Sequence, residues 1–286
     1  LKIIPEELEL HKKAQQLSYQ CAITISKEMK EGWSEAETAD LMDTYLKDHG
    51  VKNFFHKSFA WFGERSGFYQ FNKYSDFKPS SRQLKSSDVV ILDTAPIVND
   101  YVADIGYTFC LEKNKQLEKA KKLLLNLRNK IPQLFESNMT TKEIWEYVDK
   151  QITDSGFFNS HAQYPFSVLG HRVFKVPLSS LPLGNLPIGV YGYFSIHSYL
   201  GFITKRIFPQ LLSPDSNCDK NGLWAIEPHI GCPDFGAKFE EILVVNDNKA
   251  YWLDQDVPHM KGETSWTGLL SQEQQQVSEK PLQKGT

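Results

Sequence analysis

Cysteine is scarce in this chain. Four residues, Cys21, Cys110, Cys218 and Cys232, are spread over 286 positions, and no two stand in C-x-x-C spacing. That excludes a zinc ribbon and a thioredoxin-type motif. A long chain with few, scattered cysteines points to reduced thiols and a cytoplasmic location. Residues 1–10 carry three glutamates and lack the basic-then-apolar pattern of a signal peptide. An initiator Met is also missing, which points to trimming at that end. No apolar run approaches the ~20 residues a membrane helix needs. An excess of one charge is absent too: 32 Lys+Arg against 35 Asp+Glu leave −3. That balance argues against a nucleic-acid binder that works by neutralising phosphates. What is present is an ordinary globular composition, 41% hydrophobic and 13% aromatic, so the bulk of the chain is not disordered. A chain of this length buries roughly three quarters of its unfolded surface. It makes one large domain or two small ones.

An internal repeat organises the chain. Ala14, Leu17, Cys21, Ile25 and Met29 lie on one helical face, and 106 residues later stand Ala120, Leu123, Leu127, Ile131 and Phe135. The capping signal Ser34-Glu35-Ala36-Glu37 recurs at the same offset as Thr140-Thr141-Lys142-Glu143. In such a box the hydroxyl and the later Glu satisfy free backbone donors reciprocally. Both helices then run to Asp-x-Gly stops, at Gly50 and Gly156. Glycine suits the left-handed position past a helix end. Pro132 is expected to kink the second copy's first helix.

β-rich sequence follows each helix pair. Residues 89–92 form a short apolar run, Asn99-Asp100 is a turn signal, and residues 101–109 read as one return strand. In the second half, residues 223–227 and 238–245 read as strands, and Asp247-Asn248 turns the chain into residues 250–253. The layout is α-α-β, repeated, which implies an α+β fold with pseudo-twofold symmetry. The halves are expected at about 6–112 and 113–260, packed as one domain over 1–260. Residues 177–187 read as loop, residues 191–212 as an aromatic-rich insertion, and residues 261–286 as a polar, loose tail.

Four acids close or interrupt apolar strands. Asp93 ends the run 89–92, and Asp104 lies in the return strand. With Val98-Asn99 as the loop they stand directly opposite; with Asn99-Asp100, Asp104 faces Ala95 and is diagonal to Asp93. Side chains alternate with period two, so both carboxylates share a face in either register. Glu227 closes Leu223-Trp224-Ala225-Ile226, and Glu240 shares a face with Ile242 and Val244 while Glu241 points away. Like charges facing each other on buried strands are costly without a counter-charge. A bound cation accounts for them; a solvated hairpin face is the alternative. His171 lies between the two pairs in sequence. Four carboxylates balance two divalent cations, and such a set with one imidazole favours Mn, Fe(II) or Co, with Zn also admissible.

These residues resemble the methionine aminopeptidase, aminopeptidase P (Xaa-Pro) and creatinase family, which has the pita-bread fold. Residues 88–93 through 104–109 are similar to its two-aspartate motif, and Gly170-His171 to its glycine-histidine motif. Ala225-Ile226-Glu227-Pro228 and Lys238-Phe239-Glu240-Glu241 are similar to its two glutamate motifs. The cover runs from about residue 5 to 258. The resemblance implies that Asp93, Asp104, His171, Glu227 and Glu240 ligate two divalent ions, with Asp104 and Glu240 bridging. It implies a metal-bound hydroxide attacking a scissile carbonyl, with Glu227 shuttling its proton. It implies a metallopeptidase-like hydrolase, an aminopeptidase or Xaa-Pro-type peptidase, acting on a small peptide or amide.

The sequence departs from the family at two non-ligand histidines of active peptidases. None occurs between Lys57 and Ser160, and none follows His171 closely. His56 and His161 are the candidates to stand in as catalytic groups, or else are structural. His197 is a candidate for the pocket mouth or for a surface role, and His229 for support behind the ligands. Residues 59–71, aromatic and close to Arg65, wall a substrate pocket or simply pack as core. Two rival readings follow from the departure: a catalytically silent pita-bread binding protein, and a creatinase-like C–N hydrolase. Because the sequence begins at the expected catalytic helices, the separate N-terminal domain of longer Xaa-Pro enzymes is expected to be missing. Oligomeric state stays open, with a homodimer as the assembly the resemblance offers.

Overall fold

The computed structural model describes residues 4–176, 196–204, 206 and 210–261. The expected loop at 177–187, the start of the aromatic insertion, the side chain of His197 and the tail from 262 onward lie outside the described residues. Two helix pairs carry the repeat: α1 (Pro5–Glu28) with α2 (Glu35–Asp48), and α3 (Lys115–Glu136) with α4 (Thr141–Asp154). α2 and α4 are both 14 residues long. Thr140 and Glu143 form the full reciprocal box, while at α2 the Ser34 hydroxyl accepts from the Glu37 N–H. Gly50 and Gly156 take φ of 87° and 81°, the left-handed conformation that ends each helix.

The strands form two four-stranded antiparallel sheets and one of three strands. The first sheet holds β1 (Asn53–Phe62), β2 (Val89–Val98), β3 (Tyr101–Val102) and β4 (Ile105–Cys110). The second runs β11 (Lys249–Trp252), β10 (Glu241–Asn246), β7 (Gly222–Ile226), β6 (Gly170–Arg172). The third is β5 (Phe158–Asn159), β8 (His229–Cys232) and β9 (Phe235–Lys238). Two short helices, α5 (Ile196–Thr204) and α6 (Pro258–Lys261), and four short 3-10 helices complete the described elements. Each helix pair covers a sheet. Ile25, Met42 and Leu46 pack with Val90, Leu92 and Tyr107, and Leu127, Ile131 and Val148 pack with Trp224, Ile226 and Leu243. Backbone pairing of Gly106 with Glu240 joins the two larger sheets at the centre.

Three expectations are corrected. The return strand at 101–109 is two strands, β3 and β4, broken at Ala103-Asp104. The Ala103 N–H donates to the Pro96 carbonyl, but proline has no N–H to return, so the ladder lapses there. The strand at 238–245 is also two, because the Glu240 N–H is diverted across to the Gly106 carbonyl. Finally, α3 runs unbroken past Pro132. The carbonyl that Pro132 leaves unpaired is that of Arg128, and the Trp252 indole N–H donates to it at 2.9 Å.

The turns behave as their residues require. Asn99 and Asp100 have φ of 48° and 78°, and Asp247 and Asn248 have 47° and 65°. Positive φ at both central residues is the tight hairpin turn whose twist matches its strands. The first of these sets the β2–β4 register, with Asp93 opposite Gly106. Asp104 is therefore diagonal to Asp93.

Candidate metal centre

The five expected ligands come from five places in the fold. Asp93 lies mid-β2, just past the buried run Val89–Leu92, and Asp104 lies in the break before β4. His171 is the middle residue of β6 and pairs with Ala225 of β7. Glu227 follows β7 directly, its N–H held by the Leu169 carbonyl at 2.9 Å. Glu240 lies in the break before β10, its carbonyl accepting from the Tyr19 hydroxyl at 2.7 Å. All four carboxylates are buried, with Glu227 the most exposed at 7%.

Asp104 is the hub. His171 Nε2 lies 3.3 Å from its Oδ2, and His56 Nε2 lies 3.2 Å from the same atom. His56 arrives from β1, where two register shifts flank it and turn it inward. It also stands 3.7 Å from Asp93 Oδ1, and His171 stands 3.9 Å from Glu240 Oε1. Two overlapping triads result, His56–Asp93–Asp104 and Asp104–His171–Glu240, each with ligand atoms mutually within 4.8 Å. Burial works against a charged His56 ring, but Asp104 and then Asp93 outweigh it and raise its pKa to about 9. His171 is raised in the same way. Burial also works against the Asp104 charge, yet the two imidazoles hold its carboxyl well below the usual range. Burial pushes Glu227 upward, and burial and the neighbouring acids push Glu240 well upward.

One member of the cluster was not singled out from the sequence. Lys238 Nζ donates to Asp93 Oδ2 at 2.7 Å and to Glu227 Oε2 at 2.9 Å, and pairs with Glu240 Oε2 at 2.9 Å. Burial disfavours its charge, but these three carboxylates raise its pKa well above the ordinary lysine value. The signal was available: with period two, a lysine two residues before Glu240 shares its face.

Two of the other candidate histidines, His161 and His229, lie behind the cluster. Among the described residues His161 makes no hydrogen bond or ion pair with the five acid and imidazole ligands; its Nδ1 receives the His229 N–H at 3.4 Å, and its ring meets Trp145 edge-on. Burial lowers its pKa to about 3. The His229 ring bridges the Ser66 carbonyl at 2.7 Å and the Tyr164 hydroxyl at 3.0 Å. That hydroxyl in turn lies 3.3 Å from Lys238 Nζ. Of the aromatics at 59–71, Phe59, Trp61 and Phe68 are buried and pack as core with Phe77 and Ile91. Arg65 is taken by Glu35, at 2.8 and 3.0 Å, and by two backbone carbonyls.

The residues suit a divalent ion. Asp93 Oδ1 and Asp104 Oδ1 are buried with no hydrogen-bond partner among the described residues. Such oxygens are costly unless a cation meets them. Carboxylate oxygens with imidazole nitrogen are the donors that first-row divalent metals accept.

Comparison with known proteins identifies the family. The model of metallopeptidase family M24 matches residues 9–247. A Mycoplasma pneumoniae protein provisionally named as a Xaa-Pro aminopeptidase is 26% identical over 263 residues, 89% of this chain and 63% of its own length. The Xaa-Pro dipeptidase of Pyrococcus furiosus is 22% identical over 248 residues, 86% of this chain and 60% of its own. This chain thus spans about three fifths of the length of these two relatives. Among solved structures, the X-Pro aminopeptidase of Thermotoga maritima superposes with a TM-score of 0.63 at 18% identity, over 88% of this chain and 61% of its own. The prolidase of Pyrococcus furiosus gives 0.63 at 20% identity, over 87% and 64%. These structures share the pita-bread α+β fold with its two related halves. The family match covers far more than half of the sequence, and the chain belongs to metallopeptidase family M24.

Proposed function

We propose that this chain is a metal-dependent hydrolase of small peptides, with Xaa-Pro-type aminopeptidase or dipeptidase activity and residues 1–260 as its catalytic unit. One observation carries the reading: Asp104, Asp93 and Glu240 form two buried triads with His56 and His171, and Asp93 and Asp104 each keep an unmatched oxygen. Asp93, Asp104, His171, Glu227 and Glu240 are the residues that would hold Mn, Co, Fe or Zn. A divalent ion there supplies Lewis acidity and lowers the pKa of a coordinated water toward neutrality.

The chain's own residues supply the rest. Glu227, with its carboxyl pushed upward by burial, is suited to take up a proton during the reaction and deliver it to the leaving amine. His56, charged beside Asp104, is placed to stabilise negative charge as it develops on the scissile carbonyl. His161 acts at one remove, holding the backbone of His229. The cytoplasm is the proposed compartment; among the described residues no helix is long and apolar enough to cross a membrane, and all four thiols are free.

The test is to equilibrate the protein with Mn, Co or Zn, count bound metal by elemental analysis, and assay dipeptides and Xaa-Pro peptides. The expected result is metal-dependent release of the N-terminal residue, lost on chelation. Asp104→Asn should lower metal occupancy sharply and activity by roughly a hundredfold or more, the scale of removing one strong electrostatic group. Bound metal with no turnover across the panel would move the assignment to a binding protein or a creatinase-like C–N hydrolase. The number of ions the cluster takes turns on Lys238.

A further inference from the structure

We infer that the ammonium of Lys238 fills one cation position of the cluster, so that the chain holds a single divalent ion at the Asp104 end rather than a pair. This rests on the metal-dependent reading of the same site. The amine touches three oxygens from three separate carboxylates, Asp93 Oδ2, Glu227 Oε2 and Glu240 Oε2, all at 2.7–2.9 Å. Those to Asp93 and Glu227 are hydrogen bonds and that to Glu240 is an ion pair, and the amine also donates to the Tyr164 hydroxyl at 3.3 Å. Its side chain is 1% exposed. A buried ammonium is tolerated only where carboxylates compensate it this fully.

The arrangement divides the carboxylates. Asp93 and Glu240 each turn one oxygen to Lys238 and the other toward an imidazole. Glu240, which would bridge two ions with an oxygen to each, has one oxygen paired with the amine instead. Charge leads to the same count. With His56 charged, four carboxylates balance that imidazole, the ammonium and one divalent ion. A second divalent ion would leave a buried cluster net positive, next to an ammonium that repels it. Space is also made for the lysine. A Cβ added at Gly106 would lie 2.5 Å from Lys238 Cε, so the bare glycine backbone is the floor on which the lysine stem lies.

Equilibrium dialysis against excess Mn(II), followed by elemental analysis, should give one ion per wild-type chain. Electron paramagnetic resonance should show an isolated Mn(II) centre. Lys238→Met should take a second ion and show a spin-coupled pair, whereas Lys238→Arg, which keeps the charge, should stay at one. Circular dichroism establishes that the variants fold, and the wild-type count and spectrum decide the matter should they not. Two ions or a coupled spectrum in the wild type would overturn the inference while leaving the metal-dependent reading intact. A Lys238→Met protein that still binds only one would do the same. No bound ion in either form would overturn that reading along with the inference.

Discussion

Glu240 and Glu241 are adjacent, both buried and both faced by a cation, yet they anchor two different regions. Glu241 meets Arg128 through both oxygens, at 2.5 and 2.8 Å, and His259 at 2.5 Å. The Arg128 guanidinium also lies over the Trp252 ring, 5.2 Å from its centroid. Burial opposes the Glu241 charge, but His259 and Arg128 outweigh it and its carboxyl is held below the usual range. Glu240 shares one amine with two other acids, and its carboxyl is pushed well upward. On the Glu241 side every charge has a dedicated partner in fixed geometry, which is how a fold secures a helix to a sheet. On the Glu240 side acids outnumber their cations, which is the condition for binding one from solution.

The sharpest way to break this contrast is to unpair each glutamate. Arg128→Met should destabilise the protein by about 3–5 kcal/mol, because it strands a buried carboxylate. Its urea midpoint should fall, while the protein that remains folded binds metal as before. Glu240→Gln should do the reverse. Metal-free stability should change by less than about 1 kcal/mol, since a crowded like charge is removed, while metal affinity drops tenfold or more, on the order of what ligand-shell changes cost. A large loss of stability in Glu240→Gln would show that both regions are structural.

Acid titration sharpens the same comparison. A group whose folded pKa is depressed contributes stability above its unfolded pKa and loses it as pH falls through the folded value. Glu241 is such a group, so wild-type stability should decline as pH drops below about 4.5. A folded Glu241→Gln protein should lack that share of the decline. His11 provides a control away from both glutamates. Burial lowers its pKa to about 4, against the pull of the Val102 carbonyl, so its contribution is full above 6.5 and lost as pH falls toward 4. His11→Gln should flatten the unfolding profile in that window and leave metal affinity unaltered. The smallest effect belongs to Trp252→Phe, which removes the donor to the Arg128 carbonyl and should cost about 1–2 kcal/mol. Combining it with Pro132→Ala should recover part of that loss, because the helix can then close its own bond.

Local signals were the most legible part of the sequence. The paired caps at Ser34 and Thr140, the stops at Gly50 and Gly156 and the turns at Asn99-Asp100 and Asp247-Asn248 all depend on neighbours a few residues apart. The candidate ligands were legible because an acid at the end of an apolar strand is anomalous within its own segment. The breaks at Ala103-Asp104 and Phe239-Glu240 were not, because a backbone bond between two sheets causes the second of them. Nor was the tolerance of Pro132, which depends on an indole 120 residues further along.

The sequence by itself determined the α+β duplication, the family resemblance and which acids are out of place in apolar strands. The duplication and the misplaced acids follow from periodicity, capping chemistry and the cost of burying charge, and the resemblance from the matched motifs. Only the tertiary structure decided which cation each acid meets. It set Lys238 against three carboxylates, gave Asp104 two imidazoles, and sent Glu241 to Arg128. The reason is geometric. Charge interactions depend on distances of a few ångströms between groups far apart in the chain, and packing alone brings those groups together.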